Sequence, residues 1–142
     1  MPRLKTGLAF SFSVLIALML VAAACGGDEG GGSITVSGEK ANDHGSQDVS
    51  GETEVDLELD NFYFAPTVLT GSAGETLTVH LENEGDAEHN FSLSNQGIDQ
   101  DVEPGQKAEV SVTFPDSGTL VFFCKYHQDM GMRGALRVAS GA

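Results

Sequence analysis

The stretch Phe122-Phe123-Cys124-Lys125-Tyr126-His127-Gln128-Asp129-Met130-Gly131-Met132-Arg133-Gly134 sets a thiol, an imidazole and two thioethers within nine residues. It follows an apolar run of strand character and precedes the alternating segment Leu136-Arg137-Val138. Thiolate, neutral imidazole and thioether are the soft and borderline donors that suit copper, and two His, one Cys and a weak axial Met describe a blue-copper electron-transfer site. The loop supplies one His, so the second must come from elsewhere in the chain. His89, in Asp86-Ala87-Glu88-His89-Asn90-Phe91, is the best candidate. Strand periodicity puts Ala87, His89, Phe91 and Leu93 on one face, among core residues.

The other histidines read differently. His80 alternates with Leu77, Val79 and Leu81, which places it on the wet face of a strand, and His44 lies among polar residues and reads as solvated. Of the two cysteines, Cys25 sits at the end of an apolar leader, which leaves Cys124 without a disulfide partner in an oxidising compartment. Coordination as thiolate gives such a thiol a purpose. Zinc also accepts Cys and His, but a thioether is a poor zinc ligand and favours copper. A dinuclear copper centre would need a second Cys in the loop, and the loop has one.

The spacing Cys124, two residues, His127, four residues, Met132, one residue, Gly134 resembles the copper loop of plastocyanin-like cupredoxins. The resemblance extends through Phe62-Tyr63-Phe64-Ala65-Pro66, Ala73-Gly74-Glu75-Thr76, Asn83 and His89-Asn90-Phe91, covering roughly residues 53–138. It implies one type 1 copper ion held by His89, Cys124, His127 and Met132, with Asn90 bracing the ligand segments by hydrogen bonding. Two departures are Tyr126, where many such loops carry Pro, and Met130, whose spacing from His127 resembles the amicyanin loop and makes it the alternative axial ligand. The resemblance further implies that His127 lies at the surface end of the site.

Further out, residues 53–142 read as a single all-β domain. Val55, Leu57 and Leu59 alternate with acids, Leu77, Val79 and Leu81 alternate with polar residues, and Ala108, Val110, Val112 and Phe114 repeat the pattern. Thr119 to Cys124 is apolar on both faces, as in a central strand, while Gly97 to Gly105 reads as a polar connection. Turn signals such as Glu103-Pro104-Gly105 and Pro115-Asp116-Ser117-Gly118 separate the segments. A Greek-key β-sandwich of about seven to eight strands is expected.

Residues 1–24 have the layout of a secretory signal, with Arg3 and Lys5 before an apolar stretch. Val21-Ala22-Ala23-Ala24-Cys25-Gly26 resembles a bacterial lipobox, which implies lipid attachment at Cys25. Residues 25–52 turn abruptly to Gly, Ser and acids with few apolar positions, and read as a flexible tether. With the leader removed, 5 Lys and Arg face 21 Asp and Glu, a balance of −16. That excludes a phosphate-binding patch and hence nucleic acid, and it favours cationic partners.

Two functions fit. A membrane-tethered, extracytoplasmic, monomeric protein would carry single electrons between redox partners, such as a cytochrome or an oxidase with a basic docking surface. Alternatively, an envelope protein would store or deliver copper. No catalytic residues are expected, because the sequence holds no second copper site, triad or carboxylate pair in a recognisable context.

Overall fold

The computed structural model describes residues 32–140. The expected leader and Cys25 lie outside the described residues. Twelve strands are present among them: β1 (Gly32–Val36), β2 (Glu39–Asp43), β3 (Ser46–Asp48), β4 (Glu54–Asp60), β5 (Tyr63–Ala65), β6 (Val68–Gly71), β7 (Thr76–Asn83), β8 (His89–Leu93), β9 (Ile98–Val102), β10 (Lys107–Thr113), β11 (Thr119–Phe123) and β12 (Arg133–Val138). They form a hairpin β1-β2, a four-stranded sheet in the order β10-β7-β4-β5 and a six-stranded sheet in the order β3-β6-β12-β11-β8-β9. Among the described residues no helix is long and apolar enough to cross a membrane.

Alternation builds the sandwich. Val55, Leu57 and Leu59 of β4 point inward with Leu77, Val79 and Leu81 of β7, all at most 5% exposed, while the acids between them face solvent. From the opposite sheet come Leu69, Phe91, Leu93, Phe122 and Leu136, so one core cluster joins both sheets. Phe64 crosses between them, edge-on to Phe91 and Phe122 with ring centroids 6.1 and 5.0 Å away. Each such side chain contributes roughly 1.5–3 kcal/mol by leaving water. As its alternation implies, His80 is on the outer face of β7, where it bridges Glu54 and Glu109 at 3.2 Å each. The six-stranded sheet carries the ligands: β8 and β11 are neighbours, with Phe123 opposite Ser92.

Three expectations are corrected. The strand count exceeds seven to eight, for the two reasons that follow. Residues 25–52 read as a tether, with the domain starting at 53, but from residue 32 onward the chain is part of the folded domain. Val36, Ala41 and Val49 are at most 1% exposed, and β3 adds in parallel to β6. Few apolar residues suffice there because each is placed against an existing surface: Val36 and Ala41 form a small cluster with Val68 and Ala135. The supposed connection 97–105 contains β9, antiparallel to β8 from Leu93↔Ile98 to His89↔Val102. As an edge strand it buries little, so Asp99 and Asp101 stand where an interior strand would need apolar residues.

Candidate metal centre

His89 opens β8 and is fully buried. Cys124 follows the last residue of β11, and its backbone N–H donates to the Met132 carbonyl at 3.0 Å, closing the loop between the strands. Within that loop, N–H groups of His127 and Gln128 donate back to the Cys124 carbonyl at 3.1 and 2.8 Å, and Met132 N–H to the His127 carbonyl at 3.2 Å. This wraps residues 124–132 into a tight arch that brings the Cys124 and His127 side chains to His89.

The ligand atoms converge. His89 Nδ1 lies 3.2 Å from His127 Nδ1, and Cys124 Sγ lies 3.6 Å from that same nitrogen. The three donors lie within 4.8 Å of one another, close enough to share one ion. The proton of His89 is assigned by its other contact. Asn61 Oδ1 accepts from the Asp86 N–H at 3.3 Å and lies 3.0 Å from His89 Nε2, so Nε2 carries the hydrogen and Nδ1 presents its lone pair to the site. Burial, reinforced by the neighbouring His127, pushes His89 down to about 4 and keeps it neutral at physiological pH. Burial also pushes the Cys124 thiol up, partly opposed by backbone hydrogen bonds from Tyr126, His127 and Asn90, so a metal ion must displace its proton. Neutral imidazoles and a soft sulfur are the donor set that fits copper.

The two thioethers are separated by burial. Met132 is completely buried, whereas Met130 is 54% exposed. His127 is half-buried, with Phe62 at 4.6 Å and Tyr126 at 6.4 Å between ring centroids. Asn90 links the ligand loop to β8 and β9 by hydrogen bonds. Its Oδ1 accepts from the Lys125 N–H at 3.2 Å and from Ser92 Oγ at 2.6 Å, and its Nδ2 donates to Asp99 and Asp101 at 2.8 and 2.9 Å. His80 and His44 stay outside the cluster; His44 is exposed but stacks on Tyr63, ring centroids 3.4 Å apart, rather than standing free in solvent.

Sequence reasoning missed the residues that hold the ligands. Asp99 and Asp101 pair with Lys125 Nζ at 2.7 and 3.0 Å, and Asp101 and Glu88 accept from the Tyr126 hydroxyl at 3.1 Å each. Their alternation about Gln100, between Ile98 and Val102, is a weak strand signal that was readable. Asn83, 1% exposed, donates to the carbonyls of Ala87 and Val102 at 2.8 Å and so ties β7 to the start of the His89 strand. A groove of about 560 Å³ on the outer face of the four-stranded sheet, near His80 and Glu109, contains none of the converging ligands.

Residues 15–138 match the family model of the cupredoxin-like domain, and the chain belongs to that family. A segment of 41 residues is 44% identical to a multicopper oxidase of Staphylococcus haemolyticus, covering 28% of this chain but only 9% of that protein. The fold is similar to that of reduced auracyanin from Roseiflexus castenholzii, with a TM-score of 0.52 and 20% identity over 63% of this chain and 98% of that one. It is also similar to the metal-binding domain of a Cu(I)-exporting ATPase of Streptococcus pneumoniae, with a TM-score of 0.53 and 11% identity over 66% of this chain and 97% of that one.

Proposed function

We propose that this protein is a copper-dependent one-electron carrier tethered on the outer side of a bacterial membrane. The convergence of His89 Nδ1, His127 Nδ1 and the buried Cys124 Sγ within 4.8 Å carries the reading. Those three atoms would hold the ion, with the buried Met132 thioether as a further, weaker donor and Met130 left at the surface. Copper held there would supply a Cu(I)/Cu(II) couple. The chain's part is to keep the ligands in one arrangement in both oxidation states. Asn61 orients His89, the arch of hydrogen bonds fixes His127, and Asn90 ties the loop to β8 and β9. The half-buried His127 is the point at which electrons pass to a docked partner.

Storage or delivery of copper is the second reading, and the exposed Met130 thioether favours it, because a surface sulfur beside the site would help pass Cu(I) to an acceptor. Two rates measured on one copper-loaded preparation separate them. For a carrier, electron exchange with a basic cytochrome is fast and slows as salt screens the −16 charge, the field reaching only about 10 Å at 0.1 M salt. Copper transfer to a metal-free acceptor is then slow. Rapid copper transfer with sluggish electron exchange would replace the carrier by the delivery reading.

The location rests on the leader and the lipobox-like junction before Cys25. Stable retention needs more than one acyl chain. Cys25→Ser should release the protein from the membrane fraction and lower its mature mass by the lipid. Unchanged partition and mass would remove the anchor.

A further inference from the structure

We infer that Asn42, on the N-terminal hairpin, is a positioning residue for the metal-ligand loop; the inference rests on the copper-carrier reading above. Asn42 holds the loop at two points and the Phe62 segment at a third. Its backbone N–H donates to the Gly131 carbonyl at 2.9 Å, and its two Nδ2 hydrogens go to the carbonyls of Met130 at 2.9 Å and Phe62 at 2.8 Å. Two carbonyl acceptors leave no doubt which end of the amide faces them.

These contacts bracket His127. Phe62 packs its ring on the imidazole, and Met130 and Gly131 are the last two of the four residues between His127 and the buried Met132. One amide therefore couples the wall on one side of His127 to the returning limb of the loop on the other. The approach is close: a Cβ at Gly131 would stand 2.9 Å from Asn42 Oδ1.

The clamp has a firm base. Val36 and Ala41 are buried against Val68 and Ala135, and the Thr67 hydroxyl, 3.1 Å from the Asn42 carbonyl, accepts from the His44 N–H at 2.7 Å. Arg133, at the far end of the loop, donates to the Lys40 carbonyl at 3.3 Å. Asn42 therefore acts through the loop backbone and through Phe62, whose ring packs on the His127 imidazole.

The test uses the full chain loaded with copper. Asn42→Asp keeps the shape but replaces both donors by a carboxylate facing two carbonyls, and Asn42→Ala removes the side chain. Glu39→Gln, on the same hairpin but only 3.9 Å from Arg133, is the control. Both Asn42 variants are expected to release copper to a chelator about tenfold faster, the low end of what losing a supporting hydrogen-bond partner costs a metal site. They should also shift the thiolate-to-copper absorption and slow electron self-exchange, while Glu39→Gln matches the unsubstituted protein.

Unchanged release, absorption and self-exchange in folded variants would overturn the inference, even if thermal stability fell. An unsubstituted protein without any thiolate-to-copper band would instead overturn the copper reading itself. If neither variant folds, the side-chain amide hydrogens of Asn42 in the Cu(I) protein decide: slow exchange with solvent supports the clamp, and exchange at the rate of a free amide refutes it.

Discussion

Cys124→Ser is expected to abolish the thiolate-to-copper absorption and to weaken copper binding by more than the roughly 100-fold that loss of an outer hydrogen-bond partner causes. A serine hydroxyl at neutral pH stays protonated and is a harder donor, so it replaces neither the charge nor the softness of the thiolate. Cys124 is also fully buried, and the hydroxyl exchanged for the thiol must find a partner or cost about 1–3 kcal/mol in the metal-free protein. The thioethers give a graded companion to this test. Met132→Leu should change the reduction potential and the spectrum, whereas Met130→Leu, at an exposed position, should change docking and leave the spectrum alone. A spectral change at Met130 with none at Met132 would exchange their roles.

Gly134→Ala is expected to destabilise the whole domain by about 3 kcal/mol, the upper part of the range for overpacking a core, or roughly 15 °C in thermal midpoint. Gly134 lies opposite Phe122 in the β11-β12 ladder. A Cβ there would overlap the Phe122 ring and stand 2.5 Å from the Thr67 carbonyl oxygen. Neither can retreat. Phe122 is 0% exposed and wedged against Phe64 and Phe91, and the Thr67 carbonyl accepts the Ala135 N–H at 2.9 Å, holding β12 to the chain before β6. Thermal unfolding of Gly134→Ala, alone and combined with Phe122→Leu, checks the cause. If the clash is with the ring, the pair is less destabilised than the sum of the two single changes, and strict additivity would point elsewhere.

The core strands were legible because alternation in β4 and β7 has a physical consequence, one buried face per strand, that the order of apolar and polar residues exposes. The converging metal ligands were legible for a different reason: thiol, imidazole and thioether are scarce, and nine residues of chain already force them together. What escaped was structure supported by few apolar side chains. Val36 and Ala41 bury completely only because Val68 and Ala135 wait more than 25 residues away to receive them, and no local period records that. Asp99 and Asp101 looked like loop residues because their work, holding Lys125 and Asn90, is electrostatic rather than hydrophobic.

With lipid at Cys25, the hairpin would also set a leash length. Gly32 pairs with Asp43, next to the residue that grips the ligand loop, so the chain enters the domain at its metal-bearing end. Only 6 residues separate Cys25 from that entry point, and the stretch from Cys25 to Gly32 reaches at most about 25 Å even fully extended. With the lipid at Cys25, the redox end would be held close above the bilayer rather than swinging freely on a long arm, and a partner resident in that same membrane would meet it by lateral diffusion.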